Sequence, residues 1–128
     1  MSSYGYTRQL SMSFEDAEKK AREELQKEGF GVLTEIDVKA TLKKKLDVDF
    51  GNYKILGACN PPFAYKALQA EEQLGLMLPC NVIIYEKENK TFAAAIKPTL
   101  QMEKIGNPKL KEIAVQVEEK LKKIIDSI

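Results

Sequence analysis

The sequence predicts an α+β fold of two layers, an antiparallel β-sheet covered on one face by helices, in the order β-α-β-(short α)-β-α-β-β-α. Three observations carry this. Segments of alternating apolar and polar residues trade places along the chain with segments whose apolar residues recur every three or four positions. Cap residues, Pro and Gly fall at the junctions between them. The last two strand-like segments follow each other across a short polar stretch, which is the pattern of a hairpin and not of a parallel crossover.

Tyr4 to Leu10 predicts the first strand. Ser13, with Asp16 three residues on, then supplies a helix start, and Phe14, Ala17, Ala21 and Leu25 line one face of the helix that follows. Gly29 is placed to end it in the left-handed conformation that glycine adopts cheaply. Phe30, Val32, Thr34, Ile36 and Val38 alternate with Gly31, Leu33, Glu35, Asp37 and Lys39, so a strand is expected with the first set on the core side and Asp37 and Lys39 pointing away. Ala40 to Leu46 predicts a short helix, and Asp47 to Asn52 a loop.

Tyr53 to Cys59 predicts a strand in which Gly57 marks a close backbone approach. Asn60 and Pro61 fit the cap and first position of a helix running to about Gln73, since a proline at that position loses no intrahelical bond. Leu78-Pro79 interrupts the chain. Cys80 to Tyr85 and Thr91 to Lys97 form the hairpin, with Glu86 to Lys90 as its turn. The run Ala93-Ala94-Ala95 has weak strand propensity, so neighbours must hold it, and its small side chains admit another backbone or a ligand. Asn107-Pro108 begins the longest helix, whose stripe of Leu110, Ile113, Ala114, Val117, Leu121, Ile124, Ile125 and Ile128 is expected to lie across the sheet.

Composition bounds the function. A chain of 128 residues with 44% hydrophobic and 30% charged side chains fits one domain, residues 1–128, with one core. Twenty basic against nineteen acidic residues leave a formal charge of +1, which supplies no field to hold a polyanion, so no nucleic-acid partner is expected. Lys43, Lys44 and Lys45 read as a solvated face, with no aromatic residues among them to stack on bases. No apolar run approaches the roughly twenty residues that span a bilayer, and the first residues lack the order of a signal peptide, so a cytoplasmic protein with no membrane partner is expected. The absence of histidine removes imidazole as base, nucleophile or metal ligand.

The chemistry that remains gathers on a repeated word. Both cysteines sit in a Cys-Asn dipeptide, Cys59-Asn60-Pro61 and Cys80-Asn81. Cys59 precedes a predicted helix, whose first amides favour a thiolate, but Pro61 and Pro62 remove two of those donors. Two thiols without histidine supply a metal poorly, so no metal and no cofactor are expected. No catalytic set is assembled either, which leaves open whether the protein is an enzyme. The expected site is a pocket lined by the Cys59-Asn60 and Cys80-Asn81 segments and the outward edge of the Asp37 strand, and it takes a small molecule or a protein partner. Two alternatives stand beside this: a thiol-based redox or metal-sensing role for Cys59 and Cys80, and a structural role in which the two asparagines cap strand ends.

The words Gly29-Phe-Gly-Val32, Thr34-Glu-Ile-Asp37, Ala40-Thr-Leu42, Tyr53-Lys-Ile-Leu-Gly57, Cys59-Asn-Pro61, Ala64, Ala67-Leu68, Gly75-Leu76 and Leu78-Pro-Cys-Asn81 occur in that order. Over about residues 10 to 100 the chain resembles the family catalogued as domain of unknown function 302, mostly bacterial and archaeal. The resemblance implies a fold similar to the TATA-binding-protein-like β-α-β4-α arrangement and a homodimer. It implies no activity. The family's motif positions carried onto this chain are Asp37, Lys39, Cys59, Asn60, Pro61, Cys80 and Asn81, and the resemblance makes these seven the expected binding residues; Pro62, directly after the Cys-Asn-Pro word, departs from the family's pattern.

Overall fold

The structure is a computed structural model describing residues 2–128. Strands β1 (Gly5–Leu10), β2 (Gly31–Asp37), β3 (Tyr53–Cys59), β4 (Cys80–Lys87) and β5 (Lys90–Ile96) form one antiparallel sheet in the order β1-β5-β4-β3-β2. The first strand closes the sheet beside the last. Helices α1 (Phe14–Lys27), α2 (Val38–Leu46), α3 (Pro61–Ala70), α4 (Pro98–Ile105) and α5 (Pro108–Ser127) connect and cover them, with a 3₁₀ turn at Glu72–Met77. The fold is the expected α+β arrangement.

Local chemistry sets the ends of α1. Ser13 Oγ accepts from the Asp16 amide at 3.1 Å, satisfying one of the donors that a helix start leaves free. At the other end Gly29 takes φ +83°, and the amides of Gly29 and Phe30 donate back to the carbonyls of Gln26 and Leu25. Those two bonds are a Schellman motif, and Phe30 closes it by packing in the same core as Leu25.

One face of the sheet is the core. Leu56, Ala58, Cys80, Val82, Ile84, Ala93 and Ala95 are all buried there, under Ala17, Ala21 and Leu25 of α1 and Val117, Leu121, Ile124 and Ile125 of α5. Burying each large aliphatic side chain contributes roughly 1.5–3 kcal/mol. The small Ala93 and Ala95 allow α5 to cross β5 closely. Arg8 on β1 holds the end of that helix, its Nη1 donating to the backbone oxygens of Ile125, Asp126 and Ile128 at 3.2, 3.1 and 2.8 Å.

The other face carries no helix layer, and the strand register arranges its side chains in rows. Tyr53, Tyr85 and Phe92 stand opposite one another on β3, β4 and β5, their rings stacked at 5.5 and 5.1 Å between centroids. The next row is Ile36, Ile55, Ile83, Ala94 and Thr7. The third is Thr34, Gly57 and Asn81, continued by the pair Ile96 and Gly5.

Four expectations need correction. The register of β2 shifts between Val32 and Thr34, so Leu33 is a bulge residue. A bulge exchanges the faces beyond it, so Thr34 and Ile36 lie on the open face, while Val32 stays with the core. Val38 and Lys39 belong to α2, which starts two residues earlier than expected because Asp37 Oδ1 caps it through the Ala40 amide at 3.0 Å. The hairpin turn is only Glu88-Asn89, both at positive φ (54° and 64°), as a two-residue type I′ turn demands. Finally, α3 ends at Ala70, and α4 was not anticipated, although Pro98 at its first position and Gly106 at φ +73° are standard start and stop signals.

Candidate functional site

A small apolar cleft opens where β3 and β4 end, between α3, α4, α5 and the 3₁₀ turn. Its walls are Ala58, Cys59 and Cys80 from the sheet, Phe63 and Ala67 from α3, Leu74 from the 3₁₀ turn, Met102 from α4, and Leu110, Ala114 and Val117 from α5. The cavity measures about 50 Å³, enough for water-sized occupants and well below the 300 Å³ or more of a formed ligand pocket. It lies at the seam between the main core and a second apolar cluster of Ala67, Leu74 and Leu110.

Each wall has a local cause. Pro61 at the first position of α3 fixes the direction in which Phe63 and Ala67 turn inward. Thr99 ties the start of α4 to α5, both its amide and its Oγ1 donating to Glu118 Oε1 at 3.1 and 2.6 Å. These bonds, with Lys122, hold the Glu118 carboxyl below its ordinary range against the opposing pull of partial burial. Asn107 joins the end of α3 to the start of α5: its Nδ2 donates to the Ala70 carbonyl at 2.9 Å and its Oδ1 accepts from the Lys109 amide at 3.0 Å.

The seven expected site residues divide. Cys59, Asn60 and Cys80 border the cleft. Pro61 stands beside it, exposed, and does not line it. Asn81 projects from the open face of the sheet, where it borders a shallow groove with Tyr53, Ile83 and Tyr85. Asp37 and Lys39 lie elsewhere: β2 pairs Gly31 with Cys59 and Asp37 with Lys54, and six residues of strand at about 3.3 Å put Asp37 about 20 Å from the cysteine end. No single opening gathers all seven.

The two Cys-Asn words also differ in what their polar groups do. Asn60 is buried, and its Nδ2 donates to the Glu28 carbonyl at 3.2 Å, so it braces the end of α1 and makes no side-chain cap for α3. Both thiols are free. Burial raises the Cys59 thiol, and burial together with the neighbouring Cys59 pushes Cys80 up to about 11. Both are therefore protonated near neutral pH and poor nucleophiles. Among the described residues, no group of three Cys, Asp or Glu side chains is placed to hold a metal ion.

The sequence reading missed the α3, α4 and 3₁₀-turn walls, and it missed the aromatic row. A signal for that row was present: Cys80 to Tyr85 and Phe92 to Ile96 are apolar at nearly every position, whereas a strand with one wet face alternates.

The family model for the domain of unknown function DUF302 matches residues 6–128. The chain belongs to the DUF302 family. A crystal structure of an uncharacterised conserved DUF302 protein from Bacillus stearothermophilus is similar at 32% sequence identity, over 98% of this chain and 98% of that one, with a TM-score of 0.92. No curated protein matches the chain. Membership of DUF302 thus agrees with the resemblance in the sequence and supplies a fold without an activity. Among the described residues of this DUF302 chain, no helix is long and apolar enough to cross a membrane.

Proposed function

We propose that this DUF302 chain is a binding module, working as a cytoplasmic homodimer, whose cleft beside Cys59, Asn60 and Cys80 receives the apolar part of a small molecule. The carrying observation is the chemistry of the walls. Apart from Asn60 their side chains are hydrocarbon, thiol or the thioether of Met102, and Asn60 Nδ2 already donates to the Glu28 carbonyl. A site of that kind rewards burial of an apolar group and offers nothing to a charged one.

Admission requires the cleft to widen. Leu74 fills one side from a 3₁₀ turn whose next two residues, Gly75 and Leu76, are exposed. That turn buries little of itself, so it is the wall that moves at least cost. The thiol-based alternative is less well supported, because both thiols are raised instead of lowered. Unpaired thiols also fit a reducing compartment.

Titration calorimetry with straight-chain alcohols and carboxylic acids of increasing length tests the reading. Saturable binding that tightens with chain length, strengthens in Leu74→Ala and disappears in Ala67→Phe is expected. No saturable binding up to about 1 mM, which is a free energy of about 4 kcal/mol, overturns it.

A further inference from the structure

We infer that the open face of the sheet is the surface through which two copies of this chain associate. The inference rests on the homodimer of the proposed function and names the interface, which lies on the opposite side of the sheet from the cleft.

Two features show that this face is built for cover. Strands β4 and β5 are apolar at both parities: Val82, Ile84, Ala93 and Ala95 face the helices, while Ile83, Tyr85, Phe92 and Ala94 face outward. Strands of that composition belong to sheets buried on both sides. Exposed apolar residues also extend the face at its margin, where Phe50, 45% exposed, packs its ring 6.1 Å from Tyr53, and Ile36, 47% exposed, stands beside Ile55.

Charge selects the occupant. None of the residues in the three rows is a Lys, Arg, Asp or Glu. A strongly charged partner finds no complement within these rows, whereas a second copy meets no like-charge repulsion across them, the nearest charges on this face being Lys87 and Lys90 at the hairpin end. A twofold contact also demands that each polar group be able to face its own kind. The face's polar side chains, Thr7, Gln9, Thr34 and Asn81, all carry both a donor and an acceptor. Asn81 is exposed and can pair with an amide across the axis.

The area approaches what a stable dimer needs. Five strands at about 4.8 Å and three rows at about 6.8 Å cover about 24 by 20 Å, or about 480 Å² in projection. That exceeds half of the about 800 Å² per partner of a stable dimer, before Phe50, Tyr4 and the corrugation of the side chains are added.

Sedimentation equilibrium of the full chain tests this with Ile83→Glu and Asn81→Arg. Asn81 is exposed in the single copy, so its replacement spares the fold even where Ile83→Glu does not. The wild type is expected at twice 14.4 kDa, and the dissociation constant is expected to rise by about 100-fold or more for Ile83→Glu in the middle row and by about 10-fold or more for Asn81→Arg in the outer row. A dimer unaffected by both substitutions overturns the interface while leaving the homodimer standing. A wild type that stays monomeric to about 100 µM, a concentration at which weak dimers form, overturns both and leaves the face to a different partner.

Discussion

Thr34 of β2 stands directly on Gly57 of β3, its register partner. A Cβ built on Gly57 would lie 2.0 Å from Thr34 Oγ1 and 2.7 Å from Pro79 Cγ. The glycine is therefore a packing requirement and not a conformational one, since its φ is ordinary for a strand. It lets the bulged edge strand and the Leu78-Pro79 segment converge over the end of the sheet beside the cleft.

From this contact, Gly57→Ala is expected to destabilise the fold by about 1–3 kcal/mol, the usual cost of overpacking. Thr34→Ala removes the nearer of the two clashes. The double variant should recover part of the loss and show coupling between the sites in a urea-denaturation cycle. A Gly57→Ala protein as stable as the wild type would mean that β2 does not sit where the register places it.

Asn60 yields a second prediction. Its amide satisfies the partly buried Glu28 carbonyl at the end of α1, and leaving such a group without a donor costs about 1 kcal/mol or somewhat more. Asn60→Ala should lower stability by that amount in urea unfolding, and Asn60→Asp, which exchanges the donor for a charge beside a carbonyl, by more. Asn81→Ala, on the exposed face of the same dipeptide word, should cost less than half as much when measured at a concentration low enough to hold single copies. Equal losses would restore a shared structural role to the two asparagines.

How much of this was legible in the chain depends on how local each cause is. The two long helices, the hairpin and the succession of the five strands could be read because Ser13, Gly29 and Asn107 cap within a few residues of the patterns they bound. The bulge at Leu33 could not be, since one inserted residue leaves composition and alternation intact while exchanging the faces beyond it. Helix α4 is short, and its hold on α5 comes through Thr99 and Glu118, nineteen positions apart. The candidate site failed to close as expected for the same kind of reason. Asp37 and Cys59 both sit at strand ends, and only the antiparallel pairing reveals that these are opposite ends.

The buried thiol predicts a pH dependence. Cys80 titrates at about 11 in the folded chain against 9.0 for an ordinary thiol. As pH rises past 9 the unfolded chain loses this proton first, so the contribution is fully present below about pH 9 and is lost as pH climbs to about 11. The loss is on the order of 3 kcal/mol. Cys80→Ala, with its own lower baseline, should lack this part of the alkaline slope. Native alkylation at neutral pH should be slow for both cysteines and fast after unfolding. Rapid labelling of Cys59 in the folded protein would return weight to thiol chemistry.

The grip of Arg8 on α5 gives the last prediction. One guanidinium nitrogen donates to three backbone oxygens at the end of the helix, of which Ile125 O also accepts from the Ile128 amide, where most carbonyls lack an intrahelical partner and the helix dipole favours a cation. Tyr6 on the same strand adds a hydrogen bond from its hydroxyl to Asp126 Oδ1 at 2.8 Å. Because α5 supplies Val117, Leu121, Ile124 and Ile125 to the main core, fraying from this end loosens the cover of the sheet. Arg8→Gln keeps some donor capacity but loses the charge and the reach, so a loss of about 2 kcal/mol is expected, given about 1.5–3 kcal/mol for a hydrogen bond to a charged group and the dipole in addition, less what the glutamine amide retains. Hydrogen exchange should localise it, with amides of Ile124 to Ile128 losing protection before those near Leu110. Lys at the same position restores the charge without the fork and should recover only part of the loss. Uniform loss of protection along α5 would instead show that Arg8 acts on the whole sheet and not on the helix end.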